Sequence, residues 1–159
     1  MTEVVLLTAA HPLWQALIDY ASHCPWRAGP YLAREMRAGS FTGFERVAAL
    51  LAEGKIAGFC NFTAHDELPP EYGFTPFIGF VYVEPARRGH RYAGRMLDAM
   101  TRYAAQCGFK KIYLMSGERG LYEKYGFTPI GEYPTIYGTR DQLFEKPTDE
   151  GEKKDDSTF

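Results

Sequence analysis

The sequence predicts a mixed α/β domain, and three observations carry that prediction. Short β-compatible apolar runs alternate along the chain with segments of helical period. Glu53-Gly54 sits between two such runs as a hairpin signal. An apolar run, Phe77–Val83, leads through a basic, glycine-containing loop into the strongest helical pattern, and another strand pattern follows it. A strand, a helix and a strand in that order favour right-handed parallel pairing.

The elements follow in order. Residues 3–8 contain Val4-Val5-Leu6-Leu7, an apolar run of strand length. Pro12 suits the first turn of a helix, and Leu13, Trp14, Leu17, Ile18 and Ala21 then recur on one face until Cys24-Pro25 breaks the pattern. Residues 26–30 read as a loop, and 31–37 as a shorter helix ended near Gly39. Residues 44–52 and 55–63 are the two arms of the hairpin. A polar, proline-rich and acidic loop over 65–72 precedes the run at Phe77–Val83, which lacks alternation as a strand buried on both faces does. Gly79 inside that run marks a bulge or a close backbone approach. Ala93, Met96, Leu97, Met100, Tyr103, Ala104 and Cys107 then recur at helical steps until Gly108 stops the helix. Residues 111–115 are the next strand, 121–125 a turn or two of helix ended by Gly126, 127–133 another strand, and 140–145 an edge strand.

At 159 residues the chain fits one domain with a full core, expected over residues 1–146. Residues 147–159 are charged and aliphatic-poor, and a disordered tail is expected there. A net charge of −2 gives no field drawing the whole molecule to nucleic acid or an anionic membrane. No apolar run is long enough to cross a bilayer, and no signal peptide is evident. Cys24, Cys60 and Cys107 form no disulfide framework, Cys60 and Cys107 read as core, and the four histidines show no metal-ligand spacing. A cytoplasmic protein without a metal is expected, either a monomer or a homodimer.

The basic charge is local. Arg87, Arg88, Arg91, Arg95 and Arg102 fall close together around Gly89 and Gly94. A helix entered through such a loop leaves the N–H groups of its first turn unpaired, and the helix dipole with nearby arginines makes a seat for phosphate oxygens. A small anion suits this loop better than a duplex, which needs a broad basic face. The loop lacks the Gly-Lys-Ser/Thr of a P-loop and the glycine spacing of the dinucleotide fingerprint. The plain alternative is a solvated turn.

These residues resemble a known family. Arg88-Gly89-His90-Arg91-Tyr92-Ala93 is similar to the Arg/Gln-x-x-Gly-x-Gly/Ala signature of the GCN5-related N-acetyltransferases (GNAT), and Val83-Glu84-Pro85 to its usual lead-in. Leu121-Tyr122-Glu123-Lys124-Tyr125-Gly126-Phe127 is similar to the family's second signature, a tyrosine four residues before Gly-Phe. One departure stands out, because the first glycine of the motif is Arg91 here.

The resemblance implies a GNAT-like mixed, V-splayed central sheet of six to seven strands flanked by about four helices. It implies acetyl-CoA as co-substrate, with pantetheine along the backbone of Val81, Tyr82 and Val83 and pyrophosphate on the N–H groups of Arg88, Gly89, His90, Arg91, Tyr92, Ala93 and Gly94. An amine acceptor would attack the thioester directly, with Tyr122 as the acid that protonates the departing thiolate and the N–H of Val81 or Tyr82 as oxyanion donor. Tyr122 otherwise reads as a packed aromatic. Phe77 stands where some members carry a basic glutamate, which leaves the general base open among His65, Asp66, Glu71 and Glu84. By position, Trp26, Arg27, Tyr31 and Glu71 are candidates for the acceptor walls. A non-catalytic acyl-CoA-binding module of the same fold is the alternative, and nucleic-acid binding through the arginines a third reading.

Overall fold

The structure, a computed structural model, describes residues 1–148. It holds seven strands in one sheet, ordered β1-β2-β3-β4-β5-β7-β6, with three α-helices among the described residues. The strands are β1 (Thr2–Leu7), β2 (Arg46–Ala52), β3 (Lys55–Thr63), β4 (Phe77–Val83), β5 (Lys111–Ser116), β6 (Thr128–Pro134) and β7 (Arg140–Pro147). The helices are α1 (Trp14–Ser22), α2 (Ala28–Arg37) and α3 (Tyr92–Gln106). The chain folds into two compact units. One comprises residues 1–63 and 80–96, and the other residues 64–79 and 97 onward.

In the first unit β1, β2 and β3 pair antiparallel in succession. The β2–β3 turn places Glu53 at φ 55° and Gly54 at φ 80°, the two left-handed residues that a two-residue hairpin needs. Leu7, Leu17, Ile18, Leu32, Met36, Val47, Ala49, Phe59 and Tyr82 form its core with α1 and α2 on one face of the sheet. The α1 pattern holds from Trp14 onward, with Trp14, Leu17, Ile18 and Ala21 as its buried face, whereas Pro12 precedes the helix and Leu13 is its N-cap. Helix α2 begins earlier than the sequence suggests, so Ala28, Gly29 and Pro30 are helix rather than loop. Proline is tolerated there because a first-turn N–H has no helical acceptor in any case. Gly29 is required by packing, since a Cβ at this position would stand 2.5 Å from the Cys24 Cβ and 2.6 Å from the Ala21 carbonyl oxygen.

In the second unit β4 and β5 pair in parallel, with Phe77 opposite Tyr113, as the strand-helix-strand order predicts. Strand β7 is not the edge. It lies between β5 and β6, antiparallel to both, and β6 takes the edge. Its burial fits this place, because Leu143, Phe144 and Lys146 are all buried. Strand β7 also runs on through Pro147, and Thr148 bonds to Lys110 and Phe109, so residues 147 and 148 of the expected tail are held to the fold; residues 149–159 lie outside the described residues. Cys107 is exposed and therefore not core, whereas Met96, Leu97, Met100 and Ala104 of the same helix are buried. The helical stripe ends a turn before Cys107, next to Gly108 at φ 92°.

Candidate active site

The loop between β4 and α3 is built as a backbone cradle. Pro85–Arg87 form one 3-10 turn, Gly89 lies at φ 89°, Arg91 at φ 60°, and α3 starts at Tyr92. The N–H groups of Tyr92, Ala93 and Gly94 are in the first helical turn and have no partner within the helix. Left-handed residues just before a helix turn successive N–H groups toward one point, where an anion fits. Arg91, which stands in place of the motif glycine, takes the left-handed conformation that glycine adopts most readily.

The arginines divide into two sets. Arg87 is held by Glu53 at 3.5 Å and Glu84 at 3.9 Å, and Arg95 donates to the Thr2 carbonyl at 3.1 Å. These two brace the loop. Arg88 donates through Nε to the Val83 carbonyl at 2.8 Å, and its guanidinium lies 5.9 Å from the Tyr82 ring centre. Its other nitrogens and all of Arg91 project from an exposed loop. The His90 and Tyr92 rings stand 5.4 Å apart, and Tyr92 receives a long hydrogen bond from Thr2.

A left-handed conformation costs a residue with a side chain ~1 kcal/mol relative to glycine. Arg91→Gly is therefore expected to raise thermal stability while weakening acetyl-CoA binding about three- to tenfold through the lost charge. Arg91→Ala should lose the binding without gaining the stability. Melting curves with and without acetyl-CoA check both outcomes.

Strand β4 is pinned on the β3 side by the Glu84 N–H to the Ala57 carbonyl at 2.9 Å. A Cβ on Gly58 would overlap the Tyr82 carbonyl oxygen and press on the Val83 Cα at 3.2 Å. The irregularity expected at Gly79 falls one residue later, at Phe80, with φ 51°. An aromatic residue holds so strained a conformation only where its ring is gripped. The Phe80 ring is gripped edge-on by Trp26 at 6.4 Å and Tyr31 at 5.7 Å.

Trp26 and Tyr31 thus come together on the Phe80 ring. Trp26 stacks on Tyr82 at 5.8 Å and 11°, and on Phe59 at 6.4 Å, yet remains 40% exposed; Tyr31 is 41% exposed with Arg34 at 5.4 Å over its ring. Arg27 precedes α2 as an exposed residue. Glu71, in a 3-10 turn over Pro70–Tyr72 of the second unit, is exposed.

Sequence reading missed the polar groups around Tyr82. Tyr20 donates to Glu84 at 2.9 Å, and burial first and Glu84 second push its phenol well above the usual range. The Tyr82 hydroxyl is raised likewise by burial, then by its hydrogen bond with Cys24. With Asp19, His23 and Pro25 these residues line a cavity of about 400 Å³ at the end of α1. Glu84, a candidate base, is occupied by Tyr20 and Arg87. No periodicity announces such a cluster, because its members come from distant positions.

In the second unit Tyr122 opens a 3-10 turn, Tyr122–Tyr125. Gly126 at φ 93° ends it, so that the Phe127 N–H bonds back to the Tyr122 carbonyl at 3.2 Å. The glycine in this motif is therefore a stop that folds Phe127 beside Tyr122, with ring centres 6.2 Å apart and Phe144 at 5.8 Å. Tyr122 is buried.

The acidic loop carries two perturbed carboxyls. Burial raises Asp66 to about 6. Glu67 is raised to about 8 by burial, by a hydrogen bond to Asp141, and by the charges of Asp66 and Asp141. Its carbonyl also receives the Ile136 N–H at 2.7 Å. An acid raised from 4.5 to about 8 binds its proton more tightly when folded. Its contribution to stability is complete below the unfolded value and is lost as pH rises through that window. Glu67→Gln is expected to flatten this decline, leaving the variant roughly 2–4 °C more stable than the parent at pH 8.5. Melting temperatures between pH 5 and 9 measure it.

Comparison with known proteins now adds the family. Residues 10–127 match the model of the acetyltransferase (GNAT) family. The chain belongs to that family. No curated protein matches it. Among solved structures, it is similar to aminoglycoside 6'-acetyltransferase type Ii, with a TM-score of 0.69 and 22% identity over 92% of this chain and 97% of that one. An aminoglycoside 6'-N-acetyltransferase complexed with coenzyme A gives 0.65 and 18% over 92% and 97%. A GNAT acetyltransferase from Elizabethkingia anophelis with acetyl-CoA bound gives 0.60 and 16% over 92% and 97%. At these identities the likeness is one of fold, and this GNAT chain shares its seven-stranded open sheet with them.

Proposed function

We propose that this GNAT protein transfers the acetyl group of acetyl-CoA to a primary amine by direct attack. The observation that carries the reading is the loop of Gly89 and Arg91, both left-handed, opening α3. Such a cradle fits a pyrophosphate, and the two related structures named with coenzyme A or acetyl-CoA support the choice of ligand. The N–H groups of residues 89–94 hold the pyrophosphate, since that of Arg88 donates to the Pro85 carbonyl at 3.3 Å instead; the side chains of Arg88 and Arg91 add charge-assisted contacts, and the backbone of Val81, Tyr82 and Val83 lines the pantetheine arm.

Acetyl-CoA supplies an activated thioester carbon when bound. The chain's residues supply the rest. The N–H of Val81 or Tyr82 donates to the developing oxyanion. Tyr122 donates a proton to the departing sulfur, since a phenol is neutral at pH 7.

Binding without turnover is the second reading. Phe77, fully enclosed, occupies the position where some family members have a basic glutamate. A thermal-shift titration with acetyl-CoA, followed by thiol-release assays over a panel of amines, separates the two. A ligand at one hundred times its Kd adds ~2.7 kcal/mol of stability, a shift of several degrees. Absence of any shift with millimolar acetyl-CoA removes the proposal. A shift without thiol release from any amine leaves a binding module.

A further inference from the structure

Asn61 is the buried side chain that neither the fold nor the proposed chemistry uses. It lies on β3, 4% exposed, and its Oδ1 has no hydrogen-bond partner among the described residues. Buried carbonyl oxygens are nearly always paired, because one left without a donor is destabilising. An apolar residue would fill the same place without that penalty.

Its face is set by the β2–β3 register. Asn61 stands opposite Val47, and Phe59 opposite Ala49. Val47, Ala49 and Phe59 all pack toward α1 and α2, in the core that Phe80 also joins. Side chains two apart on a strand share a face, so Asn61 is the next residue after Phe59 on the side where Trp26 stacks. That side has an unusual rim. Trp26 and Tyr31 are large rings left about two-fifths exposed, and both hold Phe80. A flat apolar rim and an unsatisfied acceptor on one face describe a molecule with an apolar ring at one end and an N–H at the other.

We propose that the face of β3 and β4 bearing Asn61, Trp26, Tyr31 and Phe80 is the acceptor site, and that it takes a primary amine on a flat apolar body, an arylalkylamine. Asn61 Oδ1 receives one N–H of the amine and turns its lone pair outward. Asn61 is a positioning residue, and the rings of Trp26 and Tyr31 hold the body of the ligand by stacking. This rests on the acetyl-transfer reading for what happens to the amine, but not for its binding.

The test is an equilibrium titration of the full chain with 2-phenylethylamine, followed by tryptophan fluorescence, with thiol release measured in parallel. Binding in the millimolar range or tighter is expected. Asn61→Leu should weaken it at least tenfold and raise KM for the amine alike, while the thermal shift caused by acetyl-CoA stays unchanged. The variant's melting temperature should equal or exceed the parent's, since the orphan oxygen is gone. Should Asn61→Leu not fold, Tyr31→Ala at the exposed rim decides, with an expected loss of about fivefold. Absence of binding to 50 mM, or binding that neither substitution weakens, overturns the inference. So does a fall in melting temperature with binding intact, which marks an oxygen satisfied by internal water. Binding without thiol release keeps the amine-binding face but overturns its assignment as the acceptor site, while the acetyl-transfer reading is decided by the panel of amines.

Discussion

Tyr122→Phe is expected to lower kcat for acetyl transfer by two to three orders of magnitude while leaving KM for acetyl-CoA within about twofold. General acid–base catalysis contributes typically ~10²–10⁴-fold, and removal of the hydroxyl removes only the proton donor. The ring itself stays, packed between Phe127 and Phe144. Tyr122 begins a turn whose end is fixed by the left-handed Gly126, so the substitution leaves the backbone in place. Equal melting temperatures for variant and parent would show this. Steady-state kinetics over pH 6–10 then carry the decision. An unchanged kcat removes Tyr122 from the chemistry and returns it to the role of a packed aromatic.

The sequence was most legible where backbone geometry demands a residue type. Glycine at 89, 108 and 126 stands at positive φ, and each ends or opens an element where the pattern says so. The hairpin at Glu53-Gly54 is read from the same requirement. Burial on one face made α1 and α3 plain, and the run without alternation at Phe77–Val83 is the central strand. Legibility failed where a third dimension decides. Strand β7 looks like an appended edge, yet it inserts between β5 and β6, because sheet order is set by partners that no local pattern names. The Tyr20–Glu84 and Glu67–Asp141 pairs join residues far apart in the chain, and a carboxyl's neighbours alone fix its proton affinity. Asn61 is the clearest case. In the sequence it is one polar residue in an apolar strand, and only its missing partner gives it a meaning.

Gly58→Ala is the substitution with the greatest expected cost to stability, ~3 kcal/mol or a fall of roughly 6–12 °C in Tm. One methyl group has no place to go at this point. It would meet the Tyr82 carbonyl oxygen, and backbone cannot swing aside as a flexible side chain can. To relieve the overlap β3 must move from β4, which loosens the Glu84 N–H to Ala57 bond and the strand end on which Arg88 is anchored through Val83. The effect should therefore reach the ligand as well, with a tenfold or greater loss of acetyl-CoA affinity measured by thermal shift at matched temperature below both transitions. Gly54→Ala is the control. Gly54 has φ 80° but open space around it, so alanine there meets conformational strain alone, ~1 kcal/mol, with acetyl-CoA affinity kept. If the two variants fall by the same amount, strain in the backbone and not the contact between β3 and β4 sets the requirement for glycine. If only Gly58→Ala loses the ligand, the close approach of the two strands is what holds the wall of the coenzyme site.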